Sequence, residues 1–145
     1  MFKKISVLLV SLFLCTAQIF AEDATEEVCK SWGYHLILDC RGGDIAAVTD
    51  AKHIEKFVIE LIDEIDMKRF GEATIVHFGS DHLTGYSLMQ LIETSSITGH
   101  FVDQNGDAYI DVFSCKPFCQ ETAVKVVQKF FNPKHITVRY LTRQA

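Results

Sequence analysis

Two strand-like runs meet at Asn105-Gly106, and no other feature limits the fold of this chain so sharply. Ser96–Val102 and Asp107–Phe113 each alternate between polar or small and apolar residues, the period of a half-buried strand. Asn-Gly favours a two-residue type I′ turn, because both central residues of that turn need positive φ. With that loop, Gln104 pairs with Asp107, His100 with Asp111 and Ser96 with Cys115. Directly opposed residues share a face. The register therefore places Ser96, Thr98, His100, Asp111, Phe113 and Cys115 on one face, with an imidazole beside a carboxylate. A slip of one residue would turn every side chain over.

The hairpin sits inside an alternating pattern. Tyr34–Cys40 reads as a strand stopped by Arg41-Gly42-Gly43. Asp50 can cap a helix in which Ile54, Phe57, Val58, Leu61, Ile62 and Ile65 recur at helical spacing. Glu72–Phe78 and Tyr86–Ile92 are further strands around a loop at His82–Gly85. Ala123, Val126, Val127, Phe130 and Phe131 mark a second amphipathic helix, and His135–Leu141 a last strand. The order β-α-β-β-β-β-α-β predicts an α+β, two-layer sandwich: a mostly antiparallel sheet with two helices on one face.

Within 145 residues this is one domain. A formal charge of −5 argues against nucleic acid or an anionic membrane as partner and suits a cationic small molecule. Residues 1–21 read as a signal peptide: Lys3 and Lys4, then an apolar run from Ile5 to Cys15, then a short segment ending at Ala21. Residues 22–145 would then form the mature domain, exported or periplasmic, with the cytoplasm as the alternative. Cys29, Cys40, Cys115 and Cys119 follow the leader, and an exported chain with these four invites disulfides whose pairing the sequence leaves open. Only Cys115 and Cys119 stand at close spacing, which is too little for a zinc site; no metal is expected.

Chemistry concentrates between Thr94 and Cys115. A Ser-Ser pair alone is turn chemistry, a strand histidine alone is structural, and a cysteine after Val-Phe-Ser is a small core residue. Their convergence gives the segment its meaning. Ser95, His100 and Cys115, with the lead-in Asp111-Val112-Phe113-Ser114-Cys115, Ser87 in Gly85-Tyr86-Ser87, and Gly33-Tyr34-His35-Leu36 near the start, resemble the short prokaryotic type of S-adenosylmethionine decarboxylase proenzyme. That family has a His five residues after a cleaved Ser, a Cys fifteen after that His, and a Ser eight before the cleavage. The likeness spans about Trp32 to Arg143.

The resemblance implies a self-cleaving enzyme of spermidine and wider polyamine synthesis. The Ser95 hydroxyl attacks the Thr94 carbonyl, and elimination leaves a pyruvoyl group, the cofactor, at residue 95. Ser87 and His100 assist processing. The pyruvoyl carbonyl forms a Schiff base with the substrate amine, and Cys115 donates the proton that replaces CO2. The hairpin register adds Asp111 as orienter of His100. The family also implies a homodimer of cleaved protomers, joined by extending the two sheets.

This chain departs from the family around the substrate. Thr94 and Ser96 flank the cleaved residue where the family has Glu and His. Val102 and Gln104 stand where an aromatic and an acid help hold the adenosyl group, and Asp81 stands where a ring stacks on the adenine. Phe101 and His82 are the nearby rings. Loss of the stacking ring and gain of an acid suit an ammonium or guanidinium group. S-adenosylmethionine and a basic amino acid such as ornithine or arginine are therefore both open as substrate. An uncleaved, exported binding protein with the same fold is the rival of another class.

Overall fold

The computed structural model describes residues 31–144. The expected leader, its boundary at residue 21, and Cys29 lie outside the described residues. The order is β1 (Gly33–Arg41), α1 (Ile45–Val48), α2 (Ala51–Glu64), β2 (Arg69–Phe78), a 3-10 turn (Asp81–Leu83), β3 (Gly85–Ile92), β4 (Ser95–Val102), β5 (Ala108–Ser114), α3 (Gln120–Phe131) and β6 (His135–Arg143). The strands form one six-stranded sheet in the order β2-β3-β4-β5-β1-β6. Every neighbouring pair is antiparallel. The α+β sandwich expected from the pattern is the one observed, with the one-turn helix α1 added before α2.

The helices bury the stripes that the spacing marks. Asp50 caps α2 by accepting from the Lys52 amide at 2.8 Å, and Ile54, Phe57, Val58, Leu61 and Ile62 are buried. On α3, Ala123, Val126, Val127 and Phe131 are buried, and left-handed Asn132 ends the helix. They join Leu36, Leu38, Ile97, Phe101, Ile110 and Val112 in one core. Phe57, Phe101 and Phe131 pack ring against ring at 4.8–6.2 Å. Phe101 is thus a core residue and cannot supply a stacking ring to a ligand. The alternate strand residues, among them His35, Ser87, His100 and Asp111, lie on the opposite, open face of the sheet.

The hairpin corrects one expectation. Phe101 pairs with Ala108, Thr98 with Asp111 and Ser96 with Phe113, two residues away from the register of a two-residue loop. The connection is longer, with Val102 and Asp107 closing it through the Val102 amide to the Asp107 carbonyl at 2.8 Å. Only Gly106 takes positive φ, 74°. Asn105 instead accepts from the Asp107 amide at 3.0 Å, an Asx turn that competes with type I′ geometry. Gly106 docks on the β1 exit, where its carbonyl accepts from the Gly43 amide at 3.0 Å. A shift of two conserves the side-chain period, so the shared face survives while the partners change.

Candidate active site

The sequence-marked residues fall into two groups. The first gathers at the β3–β4 turn. Ser95 has φ 144°, a region that non-glycine residues avoid and that stores backbone strain. The carbonyl of Thr94, just before it, accepts from the Cys115 amide at 2.9 Å. The Thr94 hydroxyl donates to Met67 Sδ at 3.2 Å and accepts from Ser114 Oγ at 3.0 Å. Buried Ser114 Oγ also accepts from the Lys116 amide at 3.0 Å, which fixes the chain on both sides of Cys115. Beside this cluster, an open depression of about 400 Å³ is lined by Asp66, Met67, Lys68, Glu93, Thr94 and Lys116. Lys116 reaches the Asp66 carboxylate at 2.6 Å and holds its carboxyl below the usual carboxylate range.

Cysteine chemistry divides by burial. Cys40, Cys115 and Cys119 are all free thiols. Cys40 is enclosed in the core, and burial, followed by the charges of Asp39 and Asp107, pushes its thiol up to about 12. Cys115 and Cys119 are exposed, and the Cys119 thiol donates to Glu121 Oε2 at 3.2 Å. Of the described cysteines, Cys115 is the one whose backbone amide meets the carbonyl that precedes Ser95.

The second group lies on the open face. Ser87 and His100 are directly paired across β3 and β4 and share a hydrogen bond of 2.8 Å between Oγ and Nδ1. This histidine is oriented by a hydroxyl, not by Asp111 as the shorter loop implied. The register shift sets Asp111 opposite Thr98, and the Asp111 carboxylate bonds His35 Nε2 at 2.9 Å. His35 is a participant that sequence reading missed; the Gly33-Tyr34-His35-Leu36 motif was its only signal. Phe78, whose ring lies 6.1 Å from the His100 ring, was missed as well.

The substrate-side positions cluster at the same end as His100. Val102 is two residues on, half-buried at the end of β4, and Gln104 is exposed in the loop beyond it. Asp81 is exposed in the 3-10 turn with φ 53°. The two loops touch where the Asp103 amide donates to the Thr84 carbonyl at 3.1 Å. Within one chain, however, Ser95 and His100 lie five residues apart on β4, roughly 16 Å of extended strand. The group around Ser95 and the Ser87–His100 group are therefore not brought together.

The chain is thus a two-layer α+β domain with a strained serine at the β3–β4 turn and, before it, a carbonyl held by the Cys115 amide. The family model for S-adenosylmethionine decarboxylase matches residues 34–144, and the chain belongs to that family. Among solved structures, the crystal structure of the adenosylmethionine decarboxylase from Aquifex aeolicus VF5 is similar in fold. It is 21% identical, with a TM-score of 0.69 over 80% of this chain and 93% of that one. No curated protein matches.

Proposed function

We propose that this chain is a self-cleaving, pyruvoyl-dependent decarboxylase of polyamine synthesis, cut between Thr94 and Ser95. The junction itself carries the reading: φ of 144° at a serine, directly after a carbonyl held by the Cys115 amide. Attack of Ser95 Oγ on the Thr94 carbonyl converts the strained amide into an ester. The charge that develops on the Thr94 oxygen stays with the Cys115 N–H, a fixed donor where negative charge appears. Loss of the Ser95 Cα proton then breaks the ester Cβ–O bond and releases Thr94 as a carboxylate. Water displaces ammonia at residue 95 and leaves the pyruvoyl end. His100, held by Ser87, is the base suited to that Cα proton.

Once formed, the pyruvoyl group supplies an electron sink for decarboxylation of an amine-bearing substrate. Cys115 returns a proton to the carbon that lost CO2. Because His100 stands roughly 16 Å from Ser95 along one strand, the working unit is a homodimer in which His100 of one protomer meets Ser95 of the other. Extension of the sheet edge to edge cannot achieve this, because β4 lies two strands from one edge and three from the other. Packing of open face on open face can.

Intact-mass spectrometry tests the reading. The expected product begins at residue 95 and is lighter by one ammonia than a Ser-terminated fragment, while the Ser95→Ala chain stays whole. A single uncleaved wild-type chain would sink the self-processing reading and leave the exported binding protein. For the substrate, exposed Asp81 favours a basic amino acid as competitor to S-adenosylmethionine. Release of CO2 from each in turn decides between them. The basic, then apolar, first 21 residues support export, which N-terminal sequencing of the protein from cells would test.

A further inference from the structure

A serine at φ 144° keeps that conformation only where its surroundings over-determine it. At Ser95 three separate segments do so. Residues 66–68 join α2 to β2, residues 93–94 form the β3–β4 turn, and residues 114–116 carry the chain out of β5. The Glu93 amide donates to the Lys68 carbonyl at 2.9 Å, and the Cys115 amide to the Thr94 carbonyl at 2.9 Å. The Lys116 ammonium reaches the Asp66 carbonyl at 2.6 Å. The first two are backbone bonds that almost any sequence could make.

The Thr94 side chain adds a tie that depends on residue type. Its hydroxyl donates to Met67 Sδ at 3.2 Å and accepts from Ser114 Oγ at 3.0 Å, so it touches both flanking segments. Ser114 lies directly opposite Ser95 across β4 and β5 and is fully buried. Its oxygen accepts from the Lys116 amide at 3.0 Å. Its single proton is shared between Thr94 and the Lys116 carbonyl at 2.8 Å. The other buried positions of β5 hold Ala108, Ile110 and Val112. A hydroxyl ending that series costs desolvation unless it is bonded, and its bonds lead to the Thr94–Ser95 junction. A hydroxyl at residue 94 gives and takes a proton at once, which suits a donor on one side and a thioether acceptor on the other. A valine there would have nearly the same shape and do neither.

We propose that Ser114 is a positioning residue for self-cleavage: with Met67 it clamps the Thr94 hydroxyl and so keeps the Thr94 carbonyl on the Cys115 amide while Ser95 attacks. The clamp acts through Thr94 and touches no reacting atom itself. It also gives a role to Thr94, which stands where the family has Glu, because an ionised carboxylate has no proton to give the sulfur. This inference rests on the self-cleavage reading.

Its test starts from the full chain made by cell-free translation, with cleavage followed by intact mass after synthesis is stopped. Thr94→Val and Ser114→Ala should cleave about ten-fold slower than the wild type, the size of a modest misplacement of reacting groups. Thr94→Ser, which keeps the hydroxyl, should cleave within about two-fold of it. Urea unfolding of the same variants in a Ser95→Ala chain, which stays whole, reads stability apart from cleavage. A merely structural hydroxyl would lower the urea midpoint and leave the cleavage rate of folded chains unchanged, and that result would overturn the clamp. So would a Thr94→Ser chain as slow as Thr94→Val. If Ser114→Ala does not fold, the contrast between Thr94→Val and Thr94→Ser decides. A wild type that never cleaves overturns the self-cleavage reading and the clamp with it, whereas equal cleavage in every chain overturns the clamp alone.

Discussion

Cys40 and Cys115 are the same residue type with opposite prospects, and burial decides between them. Cys40 sits in the core with its thiol pushed up to about 12. Unfolded, it ionises near 9.0. A folded-state value above the unfolded one means that this contribution to stability is whole below about pH 9 and is lost as pH rises towards 12. Urea unfolding from pH 8 to 11 should therefore show falling stability, with a shallower fall in Cys40→Ala. An aromatic disulfide reagent should label Cys115 and Cys119 in the folded protein and Cys40 only after denaturation. Rapid labelling of Cys40 would mean that the core is open. Asp111 gives a second residue-scale expectation. Because its partner is His35, Asp111→Asn should cost about 1–2 kcal/mol of stability and leave the cleavage rate within two-fold. Slowed cleavage at unchanged stability would restore Asp111 as the orienter of His100. Residue types and their spacing were legible in the sequence here. Partners were not, because a partner across strands depends on a register that no local pattern specifies.

The hairpin shows why. Local chemistry at Asn105-Gly106 favours a two-residue turn, yet tertiary docking of Gly106 on Gly43 selects a longer loop. A Cβ on Gly106 would meet the Gly43 carbonyl oxygen at 2.2 Å, and the φ there is +74°. Gly106→Ala should accordingly lose about 2 kcal/mol or more, read by urea denaturation. A loss below about 0.5 kcal/mol would show that the loop can leave Gly43 freely. The helices were easier to read. Their apolar stripes and the Asp50 cap are local signals with one solution, and Ile54, Phe57, Val58, Leu61 and Ile62 are buried as the spacing demands. Strand β2 was legible only from residue 72. Its first part bends at a bulge between Phe70 and Thr74, where Gly71 takes φ 69°. Buried Gln90 donates to the Phe70 and Gly71 carbonyls there at 3.2 and 3.4 Å. A lone glutamine in an apolar run gave no sign of that support.

At the scale of the molecule, the sheet divides the chemistry. Ser95 and Cys115 lie at one end, and Ser87, His100 and Phe78 lie along the open face, with His100 roughly 16 Å from Ser95 on the same strand. No rearrangement within an intact β4 shortens that span, because the pairing on both sides is continuous from Ser95 to Phe101. In the proposed dimer, a twofold pair of chains would make two composite sites, each with Ser95 from one chain and His100 from the other. This arrangement predicts complementation between two inactive variants. Ser95→Ala alone cannot cleave, and His100→Ala alone should cleave at least ten-fold slower. When the two are unfolded together and refolded in equal amounts, about half of the His100→Ala chains should find a Ser95→Ala partner. Those chains carry an intact Ser95 and meet an intact His100. Mass spectrometry should then find about half of the His100→Ala chains cut before residue 95, with every Ser95→Ala chain whole. If the mixture cleaves no faster than His100→Ala by itself, the site lies within one chain. Strand β4 would then have to break its pairing to process.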